Sequence, residues 1–357
     1  MAMLTAETKF GVVRGVPGHN GKSTVFKGIP YAKPPVGELR FAPPVPCDPW
    51  EGELLCDHFQ ASPLQEGAPR REIPVISEDC LYLNIWTPAE TGEEKLPVLF
   101  WVYGGGFVTG SGTEPEFGGE ALNEKGAIVV TFNYRLSVMG FLALPQLLER
   151  DGVTGNSGLR DQMSALKWVH ENIAAFGGDP DNITVFGFSA GGMSTRMLAV
   201  SPMSRDMIKR IIVQSGGGVT DSDYYRPLKE KMEICERGMA RLGWDMEDLR
   251  TRDGMEIMKR LQEATITELE GWEKSVFQPD VDGITLMDTP GVSLWKGDYN
   301  DIPILAGSVT GDNGWIKIVR NEVEDETMIP AFVYSRSVAW AQRNAEAGRT
   351  PIYSYHF

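Results

Sequence analysis

Histidine and cysteine are scarce, with four of each in 357 residues. Cys47, Cys56, Cys80 and Cys235 form no Cys-x-x-Cys pair and no cluster with His19, His58, His170 or His356, so the spacing offers no metal site. The cysteines read as reduced, structural thiols. No stretch reaches the ~20 apolar residues needed to span a bilayer. The opening MAMLTAETKFGVVRG has no basic segment followed by an apolar one, which leaves no visible secretion signal; an omitted one stays open. Basic charge is short as well. Lys and Arg number 34 against 49 Asp and Glu, a net charge of −15, which argues against nucleic acid and anionic membrane as partners. Repeats, low-complexity tracts and long linkers are missing. The expectation is a cytoplasmic protein that needs no metal or cofactor, with its oligomeric state undetermined.

What the chain does have is a hydrophobic content of 42% and short apolar runs at regular intervals. LPVLFWVY (96–103), AIVVTFNY (127–134), ITVFGF (183–188), RIIVQS (210–215), IPILAGS (302–308) and PIYSYHF (351–357) read as strands. Several are apolar on both faces, as strands covered by helices on each side must be. Between them, 159–176 places Leu159, Met163, Leu166, Val169 and Ile173 on one helical stripe, and a Glu-, Lys- and Met-rich region over 224–268 reads as helical. Alternation of this kind predicts one α/β domain over 1–357, with a mostly parallel, doubly wound sheet flanked by helices. The prolines of 29–49 read as an irregular wall.

Two features carry chemistry. VFGFSAGGMS (185–194) sets Ser189 between Gly187 and Gly191, after a strand and before a helix. A serine at the tip of so tight a turn faces a reacting carbonyl together with the amide donors of the helix start. WVYGGGFVTGSG (101–112) puts a glycine run after another buried strand, where the amides of Gly105 and Gly106, with that of Ala190, make a candidate oxyanion hole. Each feature alone leaves a bland alternative open, a structural serine in a turn or a flexible loop. Both together, each following a strand, favour nucleophilic catalysis.

The resemblance extends much further. FKGIPYAKPPVGELRFAPP (26–44), SEDCLYLNIWTP (77–88), NYRLSVMGFLAL (133–144), GNSGLRDQMSALKWVHENIAAFGGDPDNITVFGFSAGG (155–192), QSGGG (214–218) and FQPDVDGITL (277–286) occur in the order found in type-B carboxylesterases. The chain thus resembles the cholinesterase and para-nitrobenzyl esterase family of the α/β-hydrolase fold. That resemblance implies hydrolysis of uncharged carboxylic esters through an acyl-enzyme. Ser189 would attack, and Gly105, Gly106 and Ala190 would hold the oxyanion. Asp312 stands where most relatives have a glutamate that orients the base; plain turn chemistry is its alternative. Asp280 and Asp282, in PDVDG, read as a structural turn. Asn182-Ile183-Thr184 matches a glycosylation sequon but is already explained by the strand motif.

The departures concern the surroundings of the serine. Phe188 replaces a frequent glutamate and is expected to alter any buried polar network under the turn. Tyr103 replaces a frequent histidine and is expected to be neutral. FQASPLQ (59–65) lacks the cysteine with which extracellular relatives pair a residue at about Cys80. More serious is the base. The family's histidine follows the strand written here as TPIYSYHF, and the sequence ends at Phe357. His356 reads as a packed strand residue, and His19, His58 and His170 stand in the wrong places. The expectation is a chain lacking the C-terminal part that carries this histidine; a degraded, non-catalytic binding protein of the same fold is the alternative. An intact mass above the 39.4 kDa calculated for the chain separates the two.

Overall fold

The computed structural model describes residues 3–66, 75–218, 226–266, 276–309 and 331–357. Nine strands make the central sheet: β1 (Val16–Pro17), β2 (Thr24–Pro30), β3 (Tyr82–Thr87), β4 (Leu96–Val102), β5 (Ile128–Phe132), β6 (Gly178–Phe188), β7 (Arg210–Gln214), β8 (Ile304–Ser308) and β9 (Ile352–His356). Their spatial order is β9-β8-β7-β6-β4-β5-β3-β2-β1. From β5 through β4 to β9 every neighbouring pair is parallel, while β5–β3, β3–β2 and β2–β1 are antiparallel. All six strands expected from apolar runs are present. The three strands β1, β2 and β3, outside those apolar runs, pair antiparallel and make the sheet mixed at one side.

The parallel strands are apolar on both faces because helices cover both. All five residues of β5 are buried, and Val98, Phe100 and Val102 of β4 are fully so. Burying one such side chain contributes about 1.5–3 kcal/mol, so these strands form the most stabilising layer of the fold. Helix α1 (Ser157–Asn172) continues into a 3₁₀ turn, Ile173–Phe176, and lies against β6. Helix α2 (Ala190–Val200) lies against β6 and β7.

The helical region expected over 224–268 is three helices where described, α3 (Leu228–Leu242), α4 (Met246–Thr251) and α5 (Gly254–Ile266). Gly243, at φ 65°, ends α3 in the left-handed conformation. Asp245 then starts α4 by accepting from the backbone N–H groups of Glu247 and Asp248, and Asp248 bonds back to the Asp245 amide. Of the proline-bearing 29–49, Ile29 and Pro30 end strand β2, and the rest is irregular chain with one 3₁₀ turn, Gly37–Leu39. The α6 helix (Ala331–Glu346) packs on β8 and β9.

Strand order positions the site. The chain runs from β4 to β5 on one side, then crosses to β6 on the other. The carboxyl ends of β4 and β6 therefore flank a topological switch point, the crevice where open α/β sheets hold ligands.

Candidate active site

Ser189 stands at the end of β6 and is the residue before α2. Its backbone, at φ 56° and ψ −123°, lies in a region that non-glycine residues seldom occupy, at a cost of about 1–3 kcal/mol. Two hydrogen bonds fix it: the Ser189 amide donates to the Gln214 carbonyl of β7 at 2.8 Å, and the Ser189 carbonyl accepts from Met193 at 2.9 Å. Its hydroxyl does not cap the helix. Glycine is required on both sides. A Cβ on Gly187 would meet the Gly191 backbone at 2.5 Å, and one on Gly191 would lie 2.0 Å from the Val102 carbonyl oxygen.

The glycine run meets this turn directly. A Cβ on Gly104 would come within 2.6 Å of the Phe188 carbonyl oxygen and 3.2 Å of the Ser189 Cβ. Gly105 (φ 111°), Gly106 (φ 65°) and Phe107 (φ 64°) then turn the chain through positive φ. The Gly105 carbonyl faces back into the loop, accepting from the amides of Val108 (3.1 Å) and Thr109 (3.0 Å). Among the described residues, the amides of Gly105, Gly106 and Ala190 have no backbone acceptor. Ala190 opens α2, where first-turn N–H groups are free by construction and carry the positive end of the helix dipole. Ser189, Ala190 and the glycines are thus brought into one place.

Phe188 is 48% exposed, with its ring edge 3.4 Å from where a Cβ on Gly104 would stand, so it is not buried under the turn. Tyr103 is buried under the glycine run and stacked on Tyr134, their ring centroids 4.4 Å apart. Burial raises both phenols well above their ordinary range, so they stay neutral donors.

Asp312 lies outside the described residues. The PDVDG turn is structural, as its sequence suggested. Asp280 is buried and accepts from Lys231 Nζ at 2.7 Å, while Asp282 accepts from the amides of Ile284, Thr285 and Leu286. Burial, only partly offset by Lys231, pushes the Asp280 carboxyl up to about 6. This buried pair was not foreseen, because its partners lie 49 residues apart in polar stretches.

None of the four histidines reaches the serine. His19 and His58 are exposed, and the His58 ring is held by Asp57 and Gln60. His170 borders a cavity of about 280 Å³, with Lys167, Glu171, Met203, Asp206 and Met207, at the amino ends of the strands. His356 is within β9, as expected, but exposed rather than packed, because β9 is the edge strand; it is level with Ser308, whose hydroxyl is 3.2 Å from its Nδ1. Three strand spacings of about 4.8 Å separate β9 from β6, placing His356 roughly 14 Å from the serine turn. The cysteines offer no substitute nucleophile. All four are free, and burial raises Cys47 to about 11 and Cys56 to about 12, which keeps both as thiols near neutrality. Among the described residues no group of three or more His, Cys, Asp or Glu is placed to hold a metal, and no helix is long and apolar enough to cross a membrane.

A mixed sheet of this order, with a strained serine at the switch point, defines an α/β-hydrolase. Comparison with known proteins carries this further. The carboxylesterase family matches residues 3–350, and the chain belongs to that family. It is 41% identical to fumonisin B1 esterase of Sphingopyxis macrogoltabida over 311 residues, 85% of this chain and 55% of that protein. It is 39% identical to the para-nitrobenzyl esterase of Bacillus subtilis over 315 residues, 87% of this chain and 63% of that one. The chain therefore spans a little over half the length of these curated relatives. Among solved structures, the carboxylesterase Est55 of Geobacillus stearothermophilus superposes with a TM-score of 0.83 at 34% identity, covering 99% of this chain and 80% of that one. A PNB esterase superposes with a TM-score of 0.85 at 31% identity, over 99% and 79%.

Proposed function

We propose that the protein is a serine carboxylesterase that hydrolyses uncharged carboxylic esters through an acyl-enzyme, with residues 1–357 acting as one unit. The observation that carries this reading is the junction of Ser189 with the glycine run at the ends of β6 and β4. Ser189 Oγ adds to the ester carbonyl. The developing oxyanion is met by the amides of Gly105, Gly106 and Ala190, each such donor contributing about 2.7–4 kcal/mol to the transition state. The tetrahedral adduct collapses, the alcohol leaves with a proton, and water then releases the acid and regenerates the serine. A serine hydroxyl needs a positioned general base for both proton transfers. Asp312 is assigned the orienting carboxylate of that base. None of the chain's four histidines is placed to fill the base's role, so serine activation is the step a test must read.

The relatives named as fumonisin B1 and para-nitrobenzyl esterases support carboxylic esters as the substrate class. The exposed Phe188 ring beside the glycine run is compatible with an uncharged, apolar acyl or alcohol group; short to medium acyl chains are the first to test. The family imposes no cofactor, and the net charge of −15 keeps nucleic acid off the list of partners. The test is labelling with a fluorophosphonate, alongside hydrolysis of para-nitrophenyl acetate and butyrate. One adduct on Ser189, lost together with hydrolysis in Ser189→Ala, is expected. A wild-type protein that takes no label and hydrolyses neither ester overturns the reading.

A further inference from the structure

The loop between β4 and Thr113 has to hold two peptide planes, those carrying the Gly105 and Gly106 amides, in one orientation. Gly105 accepts from Val108 and Thr109 within the loop, the Phe107 carbonyl accepts from the Ser137 amide at 2.7 Å, and beyond Gly110 the Gly112 amide donates to Asn133 Oδ1 at 2.9 Å while the Thr113 amide donates to Ser111 Oγ at 3.2 Å. The far end of the loop is held from elsewhere. Gln65, 5% exposed, donates from Nε2 to the Gly110 carbonyl at 3.0 Å and accepts the Gly110 amide on Oε1 at 2.9 Å. Its Nε2 also donates to the Pro63 carbonyl at 3.1 Å. The amide thus holds both polar groups of one glycine, as a neighbouring strand would. Gly110 needs this support, since at φ 118° it has a backbone no other residue adopts easily, and Tyr103 fills the space where a Cβ would go. Three residues from Gln65, the buried Ser62 hydroxyl is bonded to that of Ser111 at 2.8 Å, and Ser111 donates to Asn133 Oδ1 at 3.0 Å.

From this arrangement we infer that Gln65 is a positioning residue for ester hydrolysis, acting through Gly110 to aim the amides of Gly105 and Gly106. The inference rests on the reading of Ser189 and the glycine run as a catalytic site. Gln65 does not touch the reacting atoms. It closes the loop four residues beyond Gly106, and the Thr109 amide transmits that closure to the Gly105 carbonyl. Donors that must sit within about 0.5 Å of the oxyanion lose much of their effect when the loop relaxes, and an error of about 1 Å can cost about 10²-fold in rate.

The isosteric Gln65→Glu separates positioning from bulk. Its carboxylate still accepts from Gly110 but repels the Gly110 and Pro63 carbonyls; protonation restores one donor. Expected for Gln65→Glu at pH 7.5 is a fall in kcat of about 10- to 100-fold with KM within about twofold, and an equal fall in the rate of fluorophosphonate labelling. Its activity relative to wild type is expected to rise as pH drops from 7.5 to 5.5, while Gln65→Ala shows the kcat loss without that rise. A Gln65→Glu protein that folds, labels and turns over as wild type at every pH overturns the inference, as does a loss that follows only the folded fraction measured by circular dichroism. A wild type that neither labels nor hydrolyses overturns the catalytic reading and this inference with it; an active wild type beside unaffected Gln65 variants overturns this inference alone.

Discussion

Tyr103 and Tyr134 are hydrogen-bonded to each other at both ends. The Tyr103 hydroxyl donates to the Tyr134 carbonyl at 3.1 Å, the Tyr134 hydroxyl donates to the Tyr103 carbonyl at 3.2 Å, and the rings stack at an interplanar angle of 17°. The pair joins the end of β4, just ahead of the glycines, to the chain leaving β5. Removing one hydroxyl leaves a buried carbonyl unpaired. Tyr103→Phe is therefore expected to destabilise the protein by about 1–3 kcal/mol, measured as a lower urea midpoint. A midpoint unchanged from wild type would show that the reciprocal bonds contribute nothing net.

The turn at Ser189 depends on the absence of a side chain at Gly191. The obstacle there is the Val102 carbonyl oxygen, 2.0 Å from where a Cβ would stand, and backbone in the sheet centre cannot move aside as a flexible side chain would. Gly191→Ala is expected to lower stability by about 3 kcal/mol or more, at the upper end of overpacking effects, and to abolish labelling of Ser189. Gly118→Ala is the control: its backbone is extended, at φ −57° and ψ 128°, and the nearest atom to an added Cβ is 3.4 Å away. It is expected to stay within about 0.5 kcal/mol of wild type by chemical denaturation.

How much of this was legible in the sequence follows from the range of the interactions. β4, β5 and the 183–188 part of β6 were readable because a doubly covered strand is apolar at most positions, a local property; the polar start of β6, residues 178–182, was not. β2 and β3 were not, since Asn84 is buried in the middle of β3 to accept from the Gly28 amide and to donate to Thr131 Oγ1. A polar residue whose partners come from other strands breaks the period that marks a strand. The turn at Ser189 was readable because its steric demand leaves glycines in the sequence. The support from Gln65 was not, because an amide-to-backbone contact 45 residues away leaves no pattern. The base was not legible: the places of His19, His58, His170 and His356 rule each of them out and assign none.

Gly105 tests the oxyanion assignment. At φ 111° it adopts a conformation costly for alanine, and a Cβ there would stand 2.1 Å from the Thr109 carbonyl oxygen. Relief of that clash has to rotate the peptide planes of the loop. Gly105→Ala is expected to lower kcat by about 10²–10³-fold, the effect of losing one oxyanion donor, with KM changed far less. A variant whose KM rises while kcat holds would place the loop in ground-state binding and remove the amides from the transition state.

The buried pair of Lys231 and Asp280 gives the protein a stability that depends on pH through one identifiable group. Lys231 Nζ, from α3, holds Asp280 Oδ2 at 2.7 Å and donates to the Gln278 carbonyl at 2.6 Å, while Asn156 bonds the Asp280 backbone from the start of α1. Burial raises the Asp280 carboxyl from its ordinary 3.8 to about 6 despite Lys231, and Asp282 adds to the rise. The folded state thus binds this proton more tightly than the unfolded chain does. The Asp280 contribution favours folding most below about pH 4 and is withdrawn as pH rises to about 6. Asp280→Asn, which cannot titrate, is expected to flatten the corresponding part of the stability curve between pH 4 and 6. At pH 7 it stands in for the protonated carboxyl, the form the folded state prefers, and is expected to be no less stable than wild type. Lys231→Met combined with Asp280→Leu removes the buried ammonium as well and is expected to be more stable than Asp280→Asn. Urea denaturation of the wild type and the two variants across this pH range measures all three effects. A double variant no more stable than Asp280→Asn would mean that the hydrogen bonds of Lys231 to the carbonyls, and not its charge, hold α3 in place.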